Sequence, residues 1–146
     1  MCWPMISQRV DTRPSDALDL YIEQERSKAF EYGTENSDCL LYLLGWAELN
    51  GYAASVPWRD LYNDKKTARR TLYDFGGAVA AVCDVLGPPR MGSPAQRGDV
   101  GLFEMDGWHH GMICTGKMWS MRHGPVGVRL ERLPVHLVWQ VVSSCR

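Results

Sequence analysis

Apolar residues recur at helical spacing through the first ninety or so positions and then give way to short runs typical of strands. Ala17, Leu18, Tyr21 and Ile22 share one face of a helix predicted over 16–29, with Ser15 placed to cap it. Leu40, Leu43, Leu44 and Ala47 mark a second helix over 38–51. Leu41 and Trp46 widen its stripe, which predicts a central position, and Ser37 and Gly51 suit its two ends. Residues 58–73 read as a mixed, basic helical segment broken by Gly76-Gly77, and 78–86 as a short apolar helix stopped by Gly87-Pro88-Pro89. Strands are predicted over 100–103, 111–115, 118–122, 127–133 and 137–142, with turns at Asp106-Gly107 and Thr115-Gly116. Helices followed by a meandering antiparallel sheet imply one α+β domain over 1–146, entered through an irregular arm at 1–15 that contains Pro4 and Pro14.

Charge and cysteine content narrow the chemistry. A net charge of −1 gives no strong pull toward nucleic acid or anionic membrane. The cluster Lys65-Lys66-Arg69-Arg70 reads as a solvated helix face, so no nucleic-acid partner is expected. No run approaches the roughly 20 apolar residues of a membrane span, and MCWPMISQRV does not have the form of a secretory signal. The five cysteines, at 2, 39, 83, 114 and 145, form no CxxC pair, which argues against a disulfide framework or a zinc ribbon. Reduced thiols and a cytoplasmic origin follow, with no metal or cofactor site expected.

Cys39 has the most telling position. It opens the leucine-rich helix, where unpaired N–H groups and the helix dipole favour a thiolate and could hold an oxyanion. The bland alternative is a small buried helix residue. A nucleophilic cysteine needs a base from elsewhere in the fold. Of the four histidines, His123 and His136 sit at turn-like positions. His109 and His110 begin a strand, where alternation puts His109 with Gly111 and Ile113, and His110 with Met112 and Cys114, so only one of the two can face a site.

Three segments in order resemble the NlpC-type cell-wall peptidases: Phe30-Glu31-Tyr32-Gly33 leading to Ser37-Asp38-Cys39; Arg97-Gly98-Asp99-Val100; and His109-His110-Gly111-Met112-Ile113. Over most of its length the chain is similar to a phage-encoded branch of that superfamily, found among tail-assembly genes of long-tailed phages and gene transfer agents. Arg59-Asp60-Leu61-Tyr62, Gly76-Gly77 and Val138-Trp139 add to that likeness. The resemblance implies a papain-like fold with Cys39 as nucleophile and His109 as base. It implies that Tyr32 and Asp38 hold a substrate's amine end, and that Ser120, with Arg122 or His123 near, stands where a polar residue orients the histidine. Leu40 departs from the small polar residue the family places after its nucleophile.

Two functions follow from the resemblance. One is a cysteine amidase or endopeptidase that cuts stem-peptide amides of peptidoglycan, made in the host bacterial cytoplasm and carried in a virion tail. The other is a structural tail-tip or hub component with the same fold and a weak or inactive site. In that case Trp3, Trp58, Trp108 and Trp119 would serve contacts with other tail proteins, unless they pack the core.

Overall fold

The computed structural model describes residues 16–35, 38–53, 58–90, 94–122, 124–125 and 127–142. The expected arm at 1–15, with Trp3 and the cap Ser15, lies outside them, as do Ser37, His123, Cys2 and Cys145. Among the described residues, four helices precede five strands: α1 (Ala17–Arg26), α2 (Cys39–Leu49), α3 (Lys65–Phe75), α4 (Ala78–Leu86), β1 (Val100–Met105), β2 (Trp108–Cys114), β3 (Trp119–Arg122), β4 (Val128–Glu131) and β5 (Leu137–Trp139). The α+β class expected from the sequence is what the chain adopts. The sheet is antiparallel with order β4-β3-β2-β1-β5. Only β1 to β4 meander, as expected; β5 returns to the far edge of β1, pairing Val100 with Trp139.

Helix ends are set by side chains one position from where the sequence suggested. Asp16 caps α1 by accepting from the Asp19 N–H, and Asp38 caps α2 by accepting from the Leu41 N–H. The basic segment is helical only from Lys65, because Asp64 and Thr67 form a reciprocal capping box there. Helix α4 matches the expected 78–86. Helix α2 is buried from Cys39 to Ala47, so it is the core element its apolar stripe announced. It packs on the inner face of the sheet, where Val100, Leu102 and Ile113 join its leucines in one cluster. The outer face carries a second cluster of Met112, Cys114, Trp119, Met121 and Val138. Trp58 and Trp119 are thus buried residues, and an exposed contact surface is not built from them.

Polar bonds fasten the remaining pieces. Arg122, 1% exposed, donates to the Glu25 carboxylate at 2.6 Å and to the Lys28 carbonyl at 2.8 Å, joining the end of β3 to the end of α1. Arg97 reaches both Asp16 and Asp19 at the start of α1. Gly98 accepts from the Trp46 indole, and Asp99 accepts from Arg90 and from the Gln96 N–H. The Arg-Gly-Asp segment is therefore a structural clasp between α1, α2 and the sheet.

Losing Arg122 takes the buried counter-ion from Glu25 and leaves it only the partly exposed Lys28 ammonium on its other oxygen at 3.0 Å. We expect Arg122→Met to lower stability by about 3–5 kcal/mol, and Glu25→Leu combined with Arg122→Met to recover most of that loss. Urea denaturation midpoints of the two proteins check this; a single-variant cost under about 1 kcal/mol would contradict it.

Candidate active site

The loop before α2 is shaped by one carboxylate. Asp38 is 2% exposed. Its Oδ1 accepts from the Leu41 N–H, and its Oδ2 accepts from the Gly33 N–H at 2.8 Å and the Tyr62 hydroxyl at 3.0 Å. Gly33 adopts a φ of 80°, and a Cβ there would collide with the Tyr62 carbonyl, so only glycine lets the loop lie against the 58–62 segment. Arg59 and Asp60 complete the clasp: the Arg59 guanidinium pairs with Glu48, and the Asp60 N–H donates to the Gly33 carbonyl. Burial holds the Asp38 pKa above the usual carboxylate range, and these donors offset only part of that rise. In this structure Asp38, expected at a substrate amine, lines the same cavity as Cys39. Both oxygens already serve the loop and the helix cap, and the residue is closed to solvent.

Cys39 follows as the first residue of α2, where it is 6% exposed. Beside it lies β2, brought close by Gly111, whose missing Cβ leaves room for the Cys39 carbonyl. Ile113 packs in the same inner cluster as α2, while Met112 and Cys114 belong to the outer cluster, so the expected strand alternation holds. Tyr32, Asp38, Cys39, Trp108 and His109 line one small cavity of 10 Å³, about the room one water takes. His110 lines a larger, open groove of 390 Å³ that also reaches Cys39, between Phe30, Tyr32, Trp108 and α3. Among the described residues, no hydrogen bond joins the Cys39 thiol to the His109 ring.

The thiol's electrostatics run against the expectation drawn from its helix-end position. Burial, and then the Asp38 carboxylate, push the Cys39 pKa up to about 11, while the Gly111 N–H and the Trp108 indole facing the sulfur pull the other way. Desolvation of an anion outweighs the helix dipole when the thiol is this enclosed. The resting group is a neutral thiol. Burial also raises the pKa of Tyr32, which lines the same cavity, with Cys39 and Asp38 adding to it.

Among the described residues, Ser120 bonds Tyr42 and the Ile113 carbonyl, not a histidine. It lies on β3 opposite Ile113, fully buried, bonded to the Tyr42 hydroxyl at 2.9 Å and donating to the Ile113 carbonyl at 3.1 Å. Its hydroxyl locks α2 to the sheet instead. Trp108, expected as a contact for other proteins or as core packing, sits at the thiol. An indole donor directly before the two histidines was the available signal. Tyr62 was visible as part of a segment, but its bond to Asp38 depends on a loop packing that no local pattern encodes.

A family model described as a domain of unknown function (DUF6950) matches residues 9–141. The chain belongs to that family. Comparison with the curated proteins finds no match, and comparison with the solved structures finds none either. The DUF6950 match spans the Asp38–Cys39 loop, the 58–62 clasp and the whole sheet, so the site lies within the family's domain. Among the described residues, no group of three or more His, Cys, Asp and Glu side chains could hold a metal ion, and no helix is long and apolar enough to cross a membrane.

With a folded thiol pKa of about 11 against an ordinary 9.0, the folded state keeps a proton that the unfolded chain releases. Cys39 therefore adds stability below pH 9.0, and this is lost as pH rises toward about 11. Alkylation of Cys39 should be slow at pH 7 and climb through about pH 11. Peptide mapping after timed iodoacetamide treatment reads this directly, and rapid labelling at neutral pH would contradict it.

Proposed function

We propose that the chain is a papain-type thiol hydrolase of the NlpC kind, a cysteine amidase or endopeptidase acting on stem-peptide amides of peptidoglycan. In this reading it is made in a bacterial host and carried by a phage tail alongside other tail-tip proteins. One observation supports it above the rest: Cys39 opens the buried helix α2 and shares a cavity with His109 of the adjoining strand. That is the pairing of nucleophile and base on two elements that acyl transfer needs.

The chemistry follows from a neutral resting thiol. As Sγ of Cys39 bonds to the amide carbonyl carbon, its proton passes to the His109 imidazole. The oxyanion gathers at the Cys39 N–H, since the Leu41 and Tyr42 N–H groups are bonded to Asp38. Collapse breaks the C–N bond, and His109 returns the proton to the departing amine, leaving a thioester on Cys39. Water then attacks the thioester, giving up a proton through His109, which releases a carboxylate and restores the thiol. Because the Cys39–His109 cavity holds about one water, substrate must approach through the 390 Å³ groove and displace the side chains that cover the sulfur.

A structural tail component with an idle site is the second reading. Two observations favour it: the enclosed thiol with its pKa near 11, and Ser120 bound to Tyr42 rather than to a histidine.

Incubation of the pure protein with muropeptides, followed by mass spectrometry, separates the two readings. The hydrolase reading expects peptide cleavage that falls by roughly a thousandfold or more in Cys39→Ala and by roughly 10²–10⁴-fold in His109→Ala. Absence of cleavage, together with Cys39→Ala particles that infect like the unaltered ones, would leave the structural reading in its place.

A further inference from the structure

The open groove over Cys39 has a strongly uneven charge. Lys65 and Arg69, one helical turn apart on α3, line one side, and Asp106 lines the other. Phe30, Tyr32 and Trp108 supply aromatic walls between them. Neither Lys65 nor Arg69 is paired with a carboxylate among the described residues. Asp64, which caps the helix, directs Oδ1 to the Thr67 N–H and hydroxyl.

For the helix alone this arrangement is unfavourable. Lys65 occupies the first helical position, where the dipole already places positive charge. Lys65 and Arg69 also repel each other at i,i+4 spacing. What holds Arg69 is the Trp108 ring, with the guanidinium carbon 4.9 Å from the ring centroid. A guanidinium resting on an aromatic surface still presents N–H donors at its edge in the fork that matches a carboxylate. Its charge also reaches the Tyr32 phenol, whose pKa it lowers against the other effects there.

We infer that Lys65 and Arg69 form a carboxylate subsite, so the groove takes an acidic peptide with its side-chain or α-carboxylate toward α3 and its polar N–H groups toward Asp106. The inference rests on the hydrolase reading for the kind of peptide, and on the groove itself for the charge preference. The same Trp108 that carries Arg69 has its indole at the Cys39 sulfur, so a carboxylate held at Arg69 lies one ring away from the nucleophile.

Binding can be measured without turnover. Isothermal titration calorimetry on the full chain bearing Cys39→Ala would use a synthetic stem tripeptide with a free carboxylate on its glutamate, and the same tripeptide with that carboxylate converted to an amide. The carboxylate form should bind roughly tenfold or more tightly, as loss of a charge-assisted hydrogen-bond pair implies. Arg69→Gln should erase the difference and Lys65→Gln should reduce it. Arg69→Lys should keep part of it, since charge survives without the fork. Both positions are exposed, and circular dichroism confirms that the variants fold. Equal affinity for the two peptides, or a preference that survives Arg69→Gln, would overturn the inference. Tighter binding of a single-stranded oligothymidylate than of either peptide would also overturn it, and would assign the cations to nucleic acid. A carboxylate preference in the Cys39→Ala protein, with neither peptide cleaved by the unaltered chain, would uphold the subsite and sink the hydrolase reading. Cleavage of both peptides with equal efficiency would do the reverse.

Discussion

The buried carboxylate of Asp38 is the constraint on which the site depends. Three donors from three separate segments converge on it: the Gly33 N–H, the Leu41 N–H and the Tyr62 hydroxyl. A charge held this far from water is tolerated only when its hydrogen-bonding capacity is filled, and filling it draws the loop, the helix start and the 58–62 segment to one point. Cys39 inherits its position from that arrangement. It also inherits an opposing field, since the anion that builds the helix start disfavours a second anion on the next residue. A nucleophile so placed reacts by losing its proton during attack, not by resting as a thiolate.

The sheet supplies the other half of the geometry through a steric rule. Gly111 lets the start of α2 come close to the sheet, because any side chain there would strike the Cys39 carbonyl. With Gly111 fixed on the inner face, strand alternation puts His109 on that face two residues earlier and leaves His110 to the open groove. Trp108, at the strand's edge, fills the space between thiol and groove. The two histidines thus meet different environments although they are adjacent in the chain.

Much of this was legible from residue order. The buried status of α2 followed from a stripe too wide for a surface helix, α4 from an apolar run between glycines, and the β1–β2 hairpin from Asp106-Gly107, both of which adopt positive φ. The Cys39–His109 cavity followed from matching a helix start to a strand face. Other features depend on contacts between distant segments, and no local pattern carries them. Asp38 looked like a ligand for an amine because its three partners lie up to 24 residues away. Ser120 looked available because Tyr42, which occupies it, is 78 residues upstream. Strand β5 crosses to the far edge of β1 because Val138 and Trp139 pack there, not because of any turn signal. The thiol's pKa was misjudged for a related reason: a helix end is visible in sequence, but the depth of burial around it is not.

The fastening of α1 has a consequence for how the chain is made. Its aromatic contact with α2 can form early, since Tyr21 and Tyr42 are only 21 residues apart. Its ionic attachments cannot. Arg97 lies 81 residues beyond Asp16, and Arg122 lies 97 residues beyond Glu25. A nascent chain leaving the ribosome therefore carries α1 with only its local ion pairs, Arg26 with Glu23 and Lys28 with Glu25; its start is tied down once Arg97 has been made, and its end only when β3 brings Arg122.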